Sequence, residues 1–171
     1  VKAGPCENIN IQDNTVYHAH GGFVIGSEFS GGMKNIVVRN NTFQGTDAGL
    51  RFKSAVKRGG KSENIYIDHI YMTDITGDAI TFETTYFDNH VGAKQQAAPI
   101  KQEFLPDFQD IHISNVYVRG CKNGIVAHGA EGMIHDITIK DCNIFYNKNA
   151  KDIDAACKIT LENVNFSTFA K

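Results

Sequence analysis

Leucine is scarce in this sequence, with three among 171 residues, at Leu50, Leu105 and Leu161. That scarcity excludes tandem leucine-rich repeats, which need a Leu/Asn ladder. Helical periodicity is missing throughout, so no amphipathic helix is expected. No apolar run approaches the ~18 residues of a membrane-spanning helix. No signal peptide is expected within these residues, and Val1 does not read as a natural start. Neither sign of charge is in excess: 17 Lys and Arg against 19 Asp and Glu leave a net charge of −2. That balance points to no nucleic-acid partner and no membrane partner. The four cysteines (Cys6, Cys121, Cys142, Cys157) lack C-x-x-C or any other metal-ligand spacing. Cysteine usage therefore decides neither a metal site nor a compartment.

What the chain does have is a repeat. One decapeptide pattern occurs six times: Glu7–Val16, Lys34–Phe43, Glu63–Met72, Gln109–Val118, His135–Ile144 and Cys157–Phe166. Its leading isoleucines (Ile9, Ile36, Ile65, Ile111, Ile137, Ile159) are spaced by 27, 29, 46, 26 and 22 residues. Within each copy, apolar and polar residues alternate, as on a strand with one buried face. The third and fifth columns, from Ile9/Ile11 through Ile65/Ile67 to Ile159/Leu161, are predicted to point inward. The seventh column reads Asp13, Asn40, His69, Asn115, Asp141, Asn163. Short polar side chains at one recurring position suit a turn that enters left-handed backbone conformations. Cys142 aligns with Val116 and Val164 and reads as a small buried hydrophobe. Cys6 and Cys121 would pair only if the fold brought them together.

A second strand follows in four copies: Gly21–Ser27, Ala48–Ser54, Asp78–Thr84 and Asn123–Gly129. Its inward columns are Phe23/Leu50/Ile80/Ile125 and Ile25/Phe52/Phe82/Ala127. Such coils stack as parallel sheets with rungs ~4.8 Å apart. The expected fold is all-β: a right-handed parallel β-helix of roughly six coils, forming a single domain over residues 1–171. The long spacing between Ile65 and Ile111 holds an insertion, and residues 90–106 are predicted to protrude from one corner as a loop.

Stacking also gathers outward residues into rows. One row is Val24, Arg51, Thr81, Val126; the next is Gly26, Lys53, Glu83, His128. Arg51 and Lys53 therefore project from one face, with His20 about one rung away. An imidazole, a guanidinium and an ammonium together suit a carboxylate-bearing ligand, because arginine can grip a carboxylate through two bonds. Surface Arg and Lys are commonplace, and a histidine in a Gly-rich turn is more often incidental, so spacing alone leaves the site open. His18 and His20 form a His-x-His pair, but no third ligand accompanies them in that coil, and no metal is expected.

At these residues the sequence resembles glycoside hydrolase family 28, the polygalacturonases and their relatives. AHGGFVIGSEFSGGMKNI is similar to the family's Gly-His-Gly segment, and GLRFKSAVKRGGKSENI to its Arg-Ile-Lys segment. The likeness is dense over Val1–Met72 and thinner beyond, with Ala19 and Phe52 departing from the motifs. The resemblance implies a right-handed parallel β-helix and hydrolysis of pectic polysaccharide or oligogalacturonide with inversion. It implies His20 as a catalytic histidine and Arg51 and Lys53 as holders of the substrate carboxylate. Tyr86 is a weaker match to a substrate-contacting tyrosine. No cofactor is implied. Secretion or a periplasmic address follows from the substrate alone.

The family's catalytic carboxylates precede an Ile-Lys-Ser-Gly tetrapeptide that Val1-Lys2-Ala3-Gly4 resembles. The acid and base are therefore expected upstream of Val1, making this the C-terminal part of a longer β-helix. The missing N-terminal coils would come from a preceding segment or a separate chain, and the chain alone would be inactive or incomplete. A non-catalytic, uronate-binding β-helix is the alternative. A lyase is a lesser one, because acidic clusters able to ligate calcium are lacking.

Overall fold

A computed structural model describes residues 4–85 and 104–168. In chain order the strands are β1 (Cys6–Gln12), β2 (Thr15–Tyr17), β3 (Phe23–Ile25), β4 (Met33–Gln44), β5 (Leu50–Lys53), β6 (Ser62–Glu83), β7 (Ile111–His128), β8 (Ile137–Ile153) and β9 (Ile159–Thr168). The path β1-β4-β6-β7-β8-β9 is parallel throughout, while β2 pairs with β4, and β5 lies between β3 and β6. The architecture is a right-handed parallel β-helix, as the repeat requires.

The repeat columns become the rungs. Ile9, Ile36, Ile65, Ile111, Ile137 and Ile159 are successive partners along the stack. From Ile36/Val38 to Ile137/Ile139 both inward columns are buried. Ile9, Ile11, Ile159 and Leu161 are only partly buried, because β1 and β9 each have a paired neighbour on one side among the described residues. The second strands supply the opposite wall of the core, where Leu50, Phe52, Ile80, Phe82 and Ile125 are fully enclosed.

The corners explain how a strand as long as β6 wraps around a coil. All six residues of the seventh column have positive φ, from 52° to 59°. Asn and Asp tolerate this conformation because their side chains bond locally. A second left-handed column, not recognised in the sequence, comprises Asn8, Asn35, Asn64, Asp110 and Asp136 at 50° to 59°. Its amides stack: Asn35 Nδ2 donates to Asn8 Oδ1 (2.9 Å) and Asn64 Nδ2 to Asn35 Oδ1 (2.7 Å). Farther along β4, buried Asn41 satisfies its whole amide: it donates to the carbonyls of Ile11 and Arg39 and accepts from the Asn14 backbone N–H and side chain.

All four cysteines are free. Cys6 is exposed on β1 and Cys121 is buried in β7, so they do not pair. Burial pushes the Cys142 thiol up to about 11, and Cys142 stacks on Val164 as a hydrophobe would. Most of the expected 90–106 loop lies outside the described residues. Its return is anchored: the Phe104 carbonyl accepts from the backbone N–H of Lys57 (2.9 Å) and of Gly59 (3.2 Å), just after β5.

Candidate functional site

The outward rows have the register that the sequence implies. Val24 pairs with Arg51, Arg51 with Thr81, and Thr81 with Val126; Lys53 pairs with Glu83, and Glu83 with His128. Alternation along β5 buries Leu50 and Phe52 and turns Arg51 and Lys53 to the outside. Both cations are thus held two residues apart on a strand whose other face is locked in the core.

His20 enters from the turn before β3. That turn is zipped to the next coil by backbone bonds: Asp47 N–H to the Ala19 carbonyl (3.0 Å) and Gly22 N–H to the Ala48 carbonyl (3.0 Å). Gly22 sits against the ring of Phe43, where any side chain would collide. The result is direct contact between residues from two coils. Arg51 Nη1 donates to His20 Nε2 at 2.8 Å. The expected meeting of His20 with Arg51 is therefore observed, and Lys53 shares the face. Tyr86 lies outside the described residues.

The sequence reading missed Asp47. Its Oδ2 lies 2.8 Å from His20 Nδ1, and its Oδ1 accepts from Thr76 Oγ1 at 3.3 Å. The His20 bond, more than any other influence, holds this carboxyl below its ordinary range; partial desolvation opposes the shift, and Thr76 and Arg51 add to it. A usable signal was present. His20 and Asp47 are 27 residues apart, the same interval as Ile9 to Ile36, so they occupy one position on successive rungs.

Asp47, Arg51, Asp78, Thr81 and Glu83 line a cavity of about 190 Å³ beside this contact. Asp78 is occupied in accepting from Asn123 Nδ2 (2.8 Å). His128, farther along the same row, lies between Asp152 (3.4 Å) and Asp154 (3.2 Å). Asp152 belongs to the rung after Val126, three beyond Arg51, so those carboxylates serve a different place on the wall. Among the described residues, no group of three or more His, Cys, Asp or Glu side chains is arranged to hold a metal ion.

Comparison with known proteins finds a family match and several similar chains. The family profile described as glycosyl hydrolases family 28 matches residues 1–168. A polygalacturonase of Ralstonia solanacearum is 32% identical over 127 residues, covering 72% of this chain and 22% of that protein. An exo-poly-alpha-D-galacturonosidase of Dickeya chrysanthemi is 29% identical over 118 residues, covering 69% of this chain and 19% of its own length. The crystal structure of a hyperthermoactive exopolygalacturonase from Thermotoga maritima aligns with a TM-score of 0.80 and 31% identity, over 95% of this chain and 35% of that one. A family 28 exopolygalacturonase of Yersinia enterocolitica, at 20% identity and TM-score 0.52, shares the fold. The chain thus spans about a fifth of the length of these two curated relatives.

Proposed function

The chain belongs to glycosyl hydrolases family 28, and from that membership we propose that it forms the substrate-holding wall of a polygalacturonase-type site. The observation that carries this reading is the contact of Arg51 with His20 across two coils, on a face that also presents Lys53. In this reading Arg51 and Lys53 hold the carboxylate of a galacturonate unit in a pectic chain. Arginine supplies two parallel donors and lysine a point charge. Tyr86 contacts the same sugar.

Hydrolysis with inversion needs two carboxyl groups ~6.5–9.5 Å apart. One protonates the departing glycosidic oxygen as the C–O bond breaks. The other takes a proton from the water that attacks the anomeric carbon from the opposite face. Asp47 is unsuited to be the acid, since its bonds to His20 and Thr76 favour the ionised form. The acid and base are assigned to coils N-terminal to Val1, making residues 1–171 a single domain that continues a longer β-helix. His20 then orients the acid or adjusts its proton affinity. No metal or organic cofactor enters these steps. A pectic substrate lies outside cells or in the periplasm, so the protein is proposed to act there.

Two measurements test this. Calorimetric titration with oligogalacturonide should show binding to the chain that Arg51→Ala weakens. Reducing-end release from polygalacturonate should require the preceding coils. Vigorous release by a chain of verified 171-residue mass would refute the upstream acids. Binding with no release, even when those coils are present, would instead favour a non-catalytic uronate-binding module.

A further inference from the structure

The Asp47–His20–Arg51 chain of contacts has a direction. A guanidinium has only N–H donors, so in its bond to Arg51 Nη1 the Nε2 atom of His20 must accept. A neutral imidazole that accepts at Nε2 carries its proton on Nδ1. That proton points at Asp47 Oδ2, 2.8 Å away. Asp47 is held toward His20 from its backbone and its other oxygen. Thr76 Oγ1 holds its other oxygen, its own N–H is bonded to the Ala19 carbonyl, and the Thr76 N–H is bonded to the Thr46 carbonyl. Gly77, stacked beneath, leaves room for the Asp47 carbonyl that a side chain would occupy.

We infer that Asp47 is a positioning residue: it fixes His20 in the Nδ1–H form and so aims the Nε2 lone pair at Arg51. The Asp47 and His20 side chains are 61% and 72% exposed, and a polar contact so open to water contributes little to folding. Orientation is what the contact supplies. With Nη1 held by His20, the planar guanidinium is oriented, and its remaining N–H groups can meet a carboxylate in a set direction. Losing Asp47 would let the imidazole proton move to Nε2, where it would face the guanidinium and push it out of place. This inference rests on the reading of His20 and Arg51 as site residues, but its first test does not.

The test is a long-range 1H–15N correlation spectrum of the 15N-labelled chain at pH 8, with His20 assigned by its loss in His20→Gln. The native spectrum should show the proton on Nδ1, Asp47→Ala should shift it toward Nε2, and Asp47→Glu should restore it. Thr76→Val, which keeps the acceptor, should leave it on Nδ1. A proton on Nε2 in the native chain, or an Asp47→Ala spectrum identical to the native one, overturns the inference. In the second arm, titration with trigalacturonate should show a several-fold loss of affinity in Asp47→Ala and recovery in Asp47→Glu. A tautomer that shifts as expected in a chain that binds no galacturonate upholds the positioning role and removes the polygalacturonase reading instead.

Discussion

Phe52 and Phe82 stack face to face, their ring centroids 4.4 Å apart and their planes 6° from parallel. Phe52 stands between Arg51 and Lys53 on β5 and points the other way, into the core. The two outward cations therefore flank a residue whose ring anchors β5 in the core. Phe23 and Phe108 close on Phe52 edge-on at 6.2 and 6.1 Å, so truncation leaves a cavity with several rigid walls. Phe52→Ala should cost about 3–5 kcal/mol, the range for deleting a buried ring. Guanidinium denaturation would measure it, and an unchanged midpoint would show that the stack is not holding the wall.

The corners make a sharper distinction between backbone and side chain. Asn35 adopts φ 55° and links Asn8 to Asn64 through its amide. Alanine there loses both bonds and meets the left-handed penalty of about 1–2 kcal/mol, whereas glycine loses only the bonds at no steric cost. Denaturation midpoints should fall further for Asn35→Ala than for Asn35→Gly. The reverse order would mean that the left-handed backbone at position 35 carries no cost that glycine relieves.

Acid should weaken the fold mainly through Asp68, because the lowered carboxyl of Asp47 is open to water and contributes little. Asp47 is held down chiefly by its bond to His20. For Asp68, burial raises the proton affinity, but bonds from Asn115, His69 and Ser114 together outweigh it and leave the carboxyl lowered. A folded pKa below the unfolded one stabilises the native state above the unfolded value, here near 3.8, and that contribution disappears as pH falls through the folded value. Urea midpoints should thus be steady from pH ~6 to ~4 and decline below that. Asp68→Asn should show a shallower decline, and a slope equal to the native one would remove Asp68 from the account.

The rungs were legible in the sequence because a strand buried on one face must alternate, and a solenoid must repeat that alternation at each turn. Ile9 to Ile159 carried that signal plainly. The seventh-column corner was legible for a related reason, since Asn and Asp recur only where the backbone needs them. The second left-handed column was not, because Asn8, Asn35 and Asn64 each follow another polar residue and blend into an exposed pair. Arg51 and Lys53 could be placed on a common face by strand alternation alone. Asp47 lies in a turn outside any alternating segment, where only the coil interval connects it to His20. Turn residues are recoverable when the period is applied to them, as it was to the strands.

In the proposed site, arginine at position 51 would serve two partners, His20 and a substrate carboxylate, and lysine only one. Arg51→Lys keeps the charge but cannot both reach His20 Nε2 and present paired donors to a carboxylate, since an ammonium lacks the planar fork. Arg51→Ala removes charge and geometry together and should weaken oligogalacturonide binding by about 1–3 kcal/mol, the scale of a lost charge-assisted bond. Arg51→Lys should fall between native and alanine, and neither variant should shift the denaturation midpoint much, because the side chain projects away from the core. Calorimetric titration at two salt concentrations separates the contributions: the charge that lysine retains is screened by salt, whereas the fork it lacks is a matter of shape. If Arg51→Lys bound oligogalacturonide as tightly as the native chain at both concentrations, a simple positive charge would suffice. The bond from Arg51 to His20 would then have no bearing on how the sugar is held.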